Sequence, residues 1–137
     1  MKLNYDNVVK KVIEYIPELK GAYDELMSWL EEPLCYSVFE MVVREQFFEL
    51  IKQYSSINSV EIKDRLKDCI CKFLFFFEKM AESDDTEVVA LLEISILEIS
   101  KVEMKTLNSI VNNFEEFFPE GLSKLKDGLK RAKKWKY

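Results

Sequence analysis

The chain has 137 residues, 48% hydrophobic and 33% charged, with 20 Lys+Arg against 25 Asp+Glu. That balance fits one globular domain large enough to need no disulfide or metal staple. Histidine is absent, which excludes Ser-His-Asp and Cys-His catalysis, histidine metal sites and the usual general base.

Three glycines and three prolines, with long apolar patterns at three- and four-residue spacing, predict an all-α bundle of six to seven helices. Tyr5, Val8, Val12, Ile16 and Leu19 form the first stripe. Pro17 restarts the chain there, because proline is tolerated only in a first turn. Tyr23, Leu26, Met27 and Leu30 continue the spacing. Pro33 is expected to open the next helix, whose core face reads Phe39, Val42, Val43, Phe47, Leu50, Ile51 and Tyr54. Glu40, Arg44 and Lys52 fall on its other side.

The run SSINS, 55–59, reads as a loop, and Ser59 as the N-cap of a helix over about 60–82. FLFFFEKM within that helix is apolar nearly all round, so it belongs deep in the bundle. In the acidic turn ESDDTE, 82–87, Asp84 or Asp85 is expected to cap the next helix. The boundary after it, near KVEMKT, carries neither glycine nor proline. Leu107, Ile110, Val111, Phe114 and Phe118 define another stripe. Pro119 precedes a basic final helix over 120–137 with Leu122, Leu125, Leu129 and Ala132 inward.

The helix LLEISILEIS, 91–100, raises a chemical question. At 100° per residue, Glu93 lies on a narrow polar edge, while Glu98 falls between Ile94 and Leu91 on the core face. Glu78, in FFFEKM, is similarly surrounded by apolar residues. A carboxylate so placed must be paired, hydrogen-bonded or protonated. Three roles compete. Glu78 and Glu98 are structural, accepting bonds from Arg44, Arg65 or tyrosine hydroxyls. Or they belong to a carboxylate metal site, for which no spacing of oxygen ligands speaks. Or they line a partner-binding groove. The structural role is favoured, and no metal or other cofactor is expected.

Cys35, Cys69 and Cys71 are odd in number, as suits reduced thiols. Two helical positions two apart point about 200° from each other, so the Cys69-x-Cys71 pair makes a poor metal clip. Nothing approaches a membrane span, and the N-terminus lacks the apolar run of a signal peptide. A cytoplasmic location is therefore expected.

Charge is unevenly placed. Residues 124–137 hold seven Lys/Arg and one Asp, a net of +6, which leaves −11 on the first 123 residues. Cations at the end of a last helix suit its dipole, and Trp135 is expected to pack back on the bundle. An acidic body repels phosphates, so neither nucleic acid nor a membrane surface is the expected partner. It attracts a basic protein and speeds encounter. The acidic turn Asp84, Asp85 and Glu87 is the first candidate contact, with Glu31 and Glu32 next.

The segments IPEL (16–19), EEPLCYSVFEMVVREQFFELI (31–51) and FLFFFEKMAESDDTEVVALLEISILEI (73–99) occur in an order that resembles a family of small, uncharacterised bacterial helical proteins. That family has a Phe-Pro-Glu-Leu segment, a Phe-Leu-Glu helix end, a short acidic gap and a Leu-Glu helix. The matching positions here are Pro17-Glu18-Leu19, Phe77-Glu78 and Leu97-Glu98, with Ile16 in place of the aromatic. The basic C-terminal extension is not part of that pattern. Some members look like immunity partners of bacterial toxins, and the resemblance implies no catalytic residues. The expected function is thus non-catalytic binding of a basic, possibly nuclease, toxin domain by an immunity protein. The alternative is a helical adaptor or regulatory protein unrelated to toxins.

Overall fold

The computed structural model describes residues 1–136, with side chains to residue 132. Seven helices form it, and no strand occurs among the described residues. Helix α1 is Val8–Tyr15, and a 3-10 turn, Pro17–Leu19, leads into α2, Lys20–Met27. Proline at the first position of that turn has no N–H to lose, which is why the chain re-enters helix there. Helix α3 begins as Cys35–Val38, runs through a π-helical stretch, Phe39–Arg44, and continues as Glu45–Ser56. Pro33 stands two residues before this start, in the bend, and does not open the helix itself.

Helix α4, Val60–Ala81, is the long central element. Ser59 caps it by accepting the Ile62 N–H, as its type and place demand. The buried rings of Phe73, Phe76 and Phe77 put its second half in the middle of the core. Phe47 of α3 meets Phe73 and Phe77 at 5.4 and 5.1 Å between ring centres. Its first half is different, for no residue from Val60 to Asp68 is buried.

Helix α5 is Thr86–Leu92, capped by Asp85 and prolonged by a second π-helical stretch, Glu93–Leu97. Helix α6 is Lys101–Phe114, and α7 is Ser123–Lys136. The boundary before α6 is set by a capping box. Ser100 accepts the Glu103 N–H, and the Glu103 carboxylate accepts the Ser100 N–H. Pro119 lies in the turn before α7, and the chain reverses at Gly121, whose φ of +72° suits glycine.

The two π-helical stretches pack against each other. A π turn leaves carbonyls without their usual helical donors. Arg44, at the end of the first stretch, donates to the Ser95 carbonyl in the second at 3.3 Å, and the buried Ser95 hydroxyl donates to the Leu91 carbonyl. The second stretch also shifts the helical phase. Glu98 is expected on the core face but is exposed, a correction with a local cause. The wider π turn delays the 100° ladder, and the helix ends at Leu97, leaving Glu98 with φ −87° and ψ 74°. Ile94 is likewise turned outward, at 46% exposure.

Helix α7 docks on the body through Leu122, Leu125 and Leu129, all buried. At Gly128 a Cβ would stand 3.0 Å from the Leu97 methyl, so glycine lets α7 approach the second π stretch closely. Two of its cations pair with the acidic body: Lys126 with Glu115 at 2.6 Å and Arg131 with Glu93 at 2.9 Å. The expected packing of Trp135 lies outside the described side chains. Among the described residues no helix is long and apolar enough to cross a membrane.

Candidate protein-binding surface

Glu78 is buried, as its neighbours in sequence require. Its partners are not Arg44, Arg65 or a tyrosine but the start of α7. Its two carboxylate oxygens accept the Lys124 N–H at 3.2 Å and the Leu125 N–H at 2.7 Å. Glu115 accepts the Leu122 N–H at 3.2 Å. Helix α7 is thus capped by carboxylates from two other elements. Burial pushes the Glu78 carboxyl above its usual range, outweighing the two N–H bonds. This role is structural, and both oxygens are committed.

Burial disfavours the thiolate at all three cysteines. Burial and the neighbouring Glu18 carboxylate push Cys69 up to about 12. Burial raises Cys35 and Cys71 as well. All three are held as thiols, and only the thiolate attacks or ligates. Among the described residues no three Cys, Asp or Glu come together to hold a metal ion.

Of the acidic residues singled out in the sequence, Asp85 and Glu87 lie against the N-terminal segment. Asp85 uses one oxygen to accept the Glu87 N–H at 2.9 Å and the other to accept the Tyr5 N–H at 2.8 Å. Ser83 donates to the Leu3 carbonyl at 2.9 Å. Residues 3–5 are therefore stapled to the turn between α4 and α5. On the other side, the Cys35 thiol approaches the Tyr5 carbonyl at 3.7 Å, and Tyr5, Pro33 and Cys35 line one cleft. Glu87 is close enough to raise both Tyr5, mainly raised by burial, and Cys35. Asp85 and Glu87 on one side and Pro33 and Cys35 on the other thus flank Tyr5.

Asp85 is committed to this staple, so Asp84 and Glu87 are the exposed carboxylates of the turn. Glu31 and Glu32 are exposed in the connection between α2 and α3, and Asp6 is exposed beside Tyr5. None of these five has an ion-pair partner among the described residues.

Trp29 opens the connection that carries Glu31 and Glu32, and sequence reasoning missed it. It follows the α2 C-cap Ser28 and is 82% exposed, with Leu34 at 47% in the same connection. Its signal was present: it falls outside the Tyr23, Leu26, Met27 and Leu30 stripe and stands among Asp24, Glu25, Glu31 and Glu32. An exposed tryptophan leaves a large apolar area in water. Tryptophan is enriched among residues that dominate protein interfaces.

No family model, curated protein or solved structure matches this chain.

Proposed function

We propose that this protein is a non-catalytic, cytoplasmic binding protein, and that it acts as a bacterial immunity protein. Its partner is a basic toxin domain, and it works by occlusion. The observation that carries this reading is Trp29, 82% exposed in the connection that carries Glu31 and Glu32, two carboxylates with no ion pair among the described residues. A basic surface would bury the indole at the centre and meet the carboxylates at the rim, the arrangement of a steered, specific interface. The three protonated thiols and the fully bonded Glu78 support binding in place of chemistry.

The test begins with crosslinking in host extract, using wild-type protein and a Trp29→Ala, Glu31→Lys, Glu32→Lys variant as baits. A species captured only by wild type is then purified and assayed for toxicity or enzymatic activity with and without this protein. The reading expects a basic domain whose activity is suppressed by the wild type and escapes the variant. A captured partner with an acidic surface, or one whose activity is unchanged when bound, would refute it.

A further inference from the structure

The cleft beside the acidic region has a definite chemistry. It lies between α1 and the segment around Pro33 and Cys35, with a volume of about 460 Å³. Val9 and Ile13 give it an apolar lining, Tyr5 and Tyr23 bring two aromatic rings, Asp6 and Glu14 bring carboxylates, and Lys10 brings one cation at the rim, 78% exposed along its side chain. Asp6 makes no hydrogen bond or ion pair among the described residues. Glu14 meets Lys10 and Lys11 only at 4.0 Å, and all three side chains are well exposed. The Tyr23 ring already attracts a cation, since the Lys20 ammonium stands 5.6 Å from its centre.

Apolar stem contacts, aromatic rings, the unpaired Asp6 carboxylate and the loosely paired Glu14 together suit a long side chain with a flat cationic head. Arginine is that side chain. Its methylenes fit against Val9 and Ile13, and its weakly hydrated guanidinium stacks on rings while donating in a fork to a carboxylate. Lysine has the same reach but a compact, strongly hydrated head. We propose that this cleft is the anchor for an arginine of the basic protein partner. The inference rests on the proposed binding of a basic domain and names the group that enters.

A probe of known composition tests it without the partner. Hexa-arginine amide, hexa-lysine amide and hexa-glutamate are titrated into the ¹⁵N-labelled protein, and amide shifts are followed. Hexa-arginine is expected to move Tyr5, Asp6, Val9 and Ile13 saturably, and to bind roughly three- to fivefold more tightly than hexa-lysine. Hexa-glutamate should leave them still. Asp6→Asn with Glu14→Gln, both exposed positions, should abolish the cleft shifts. Tyr23→Leu should keep binding of both cations but erase the preference for arginine, an effect that a purely structural tyrosine would not produce. Equal affinity for the two cationic peptides overturns the proposal. So do shifts spread over every acidic surface and indifferent to Asp6 and Glu14. The two readings fail separately. Saturable arginine binding by a protein that neutralises nothing sinks the immunity function alone. A suppressed toxin that ignores the cleft variants sinks the anchor alone.

Discussion

Replacing Glu78 tests whether one buried carboxylate seats the last helix. It accepts two backbone N–H groups of α7, at 3.2 and 2.7 Å, from a position only 8% exposed. Hydrogen bonds to a charged group contribute about 1.5–3 kcal/mol each, the longer one at the low end. Desolvation offsets much of that, which is why the Glu78 carboxyl is raised. The freed Lys124 N–H borders a cleft of about 510 Å³, so water reaches it, while the Leu125 N–H is buried. Glu78→Ala should therefore cost about 1–2 kcal/mol, a fall of about 3–10 °C in Tm. Glu78→Gln keeps one acceptor and should cost less. Urea midpoints measure the loss, and amide hydrogen exchange locates it. The first turn of α7 should lose protection before the centre of α4 does. If Glu78→Ala has the midpoint of wild type, or if protection falls evenly through the chain, the carboxylate does not seat α7.

The same residue gives a pH signature. A raised acid pKa means that the folded state holds the proton more readily, so this contribution to stability is fully present below the ordinary carboxylate value and is lost as pH rises through the raised one. Plotted against pH, the stability difference between wild type and Glu78→Gln should thus decline across that window, and a flat difference would contradict it. Glu98→Ala should change the urea midpoint by less than about 0.5 kcal/mol, since the side chain is exposed. In α2, where a Cβ on Gly21 would meet nothing within 4 Å, Gly21→Ala should stabilise by about 0.4–1 kcal/mol in thermal melts. At Gly121, φ +72°, alanine should destabilise by about 1–2 kcal/mol. Folded protein treated with iodoacetamide at pH 8 should keep Cys69 unmodified by mass spectrometry, because its thiol is pushed up to about 12.

The all-α architecture was legible in sequence because most elements obey one period. The caps Ser59 and Asp85 were legible because their types and the apolar runs after them agree. Ser100 is as readable, through the Ser-x-x-Glu spacing to Glu103, a boundary marked by neither glycine nor proline. Glu98 was misplaced because a constant 100° step cannot register a π turn, which depends on how two helices pack. Glu78 was rightly buried, yet its partners lie 46 and 47 residues away, and nothing local encodes that pairing. The acidic residues of the candidate surface were visible one by one. The approach of Asp85 and Glu87 to Tyr5 depends on two hydrogen bonds across 80 residues, Tyr5 to Asp85 and Ser83 to Leu3.

The distance between Glu78 and its partners also orders events during synthesis. At roughly 5–20 residues per second, the N–H groups of Lys124 and Leu125 follow Glu78 by several seconds. For that interval the nascent chain has its most aromatic helix, Phe73 to Phe77, but lacks Leu122, Leu125 and Leu129, which pack on the core. A ribosome stalled before residue 122 would therefore hold a chain with an apolar face open and an ionised Glu78 beside it. The charge would keep that face wet and discourage early collapse onto the wrong neighbour. Arrival of α7 would then remove both the water and the open face in a single docking step.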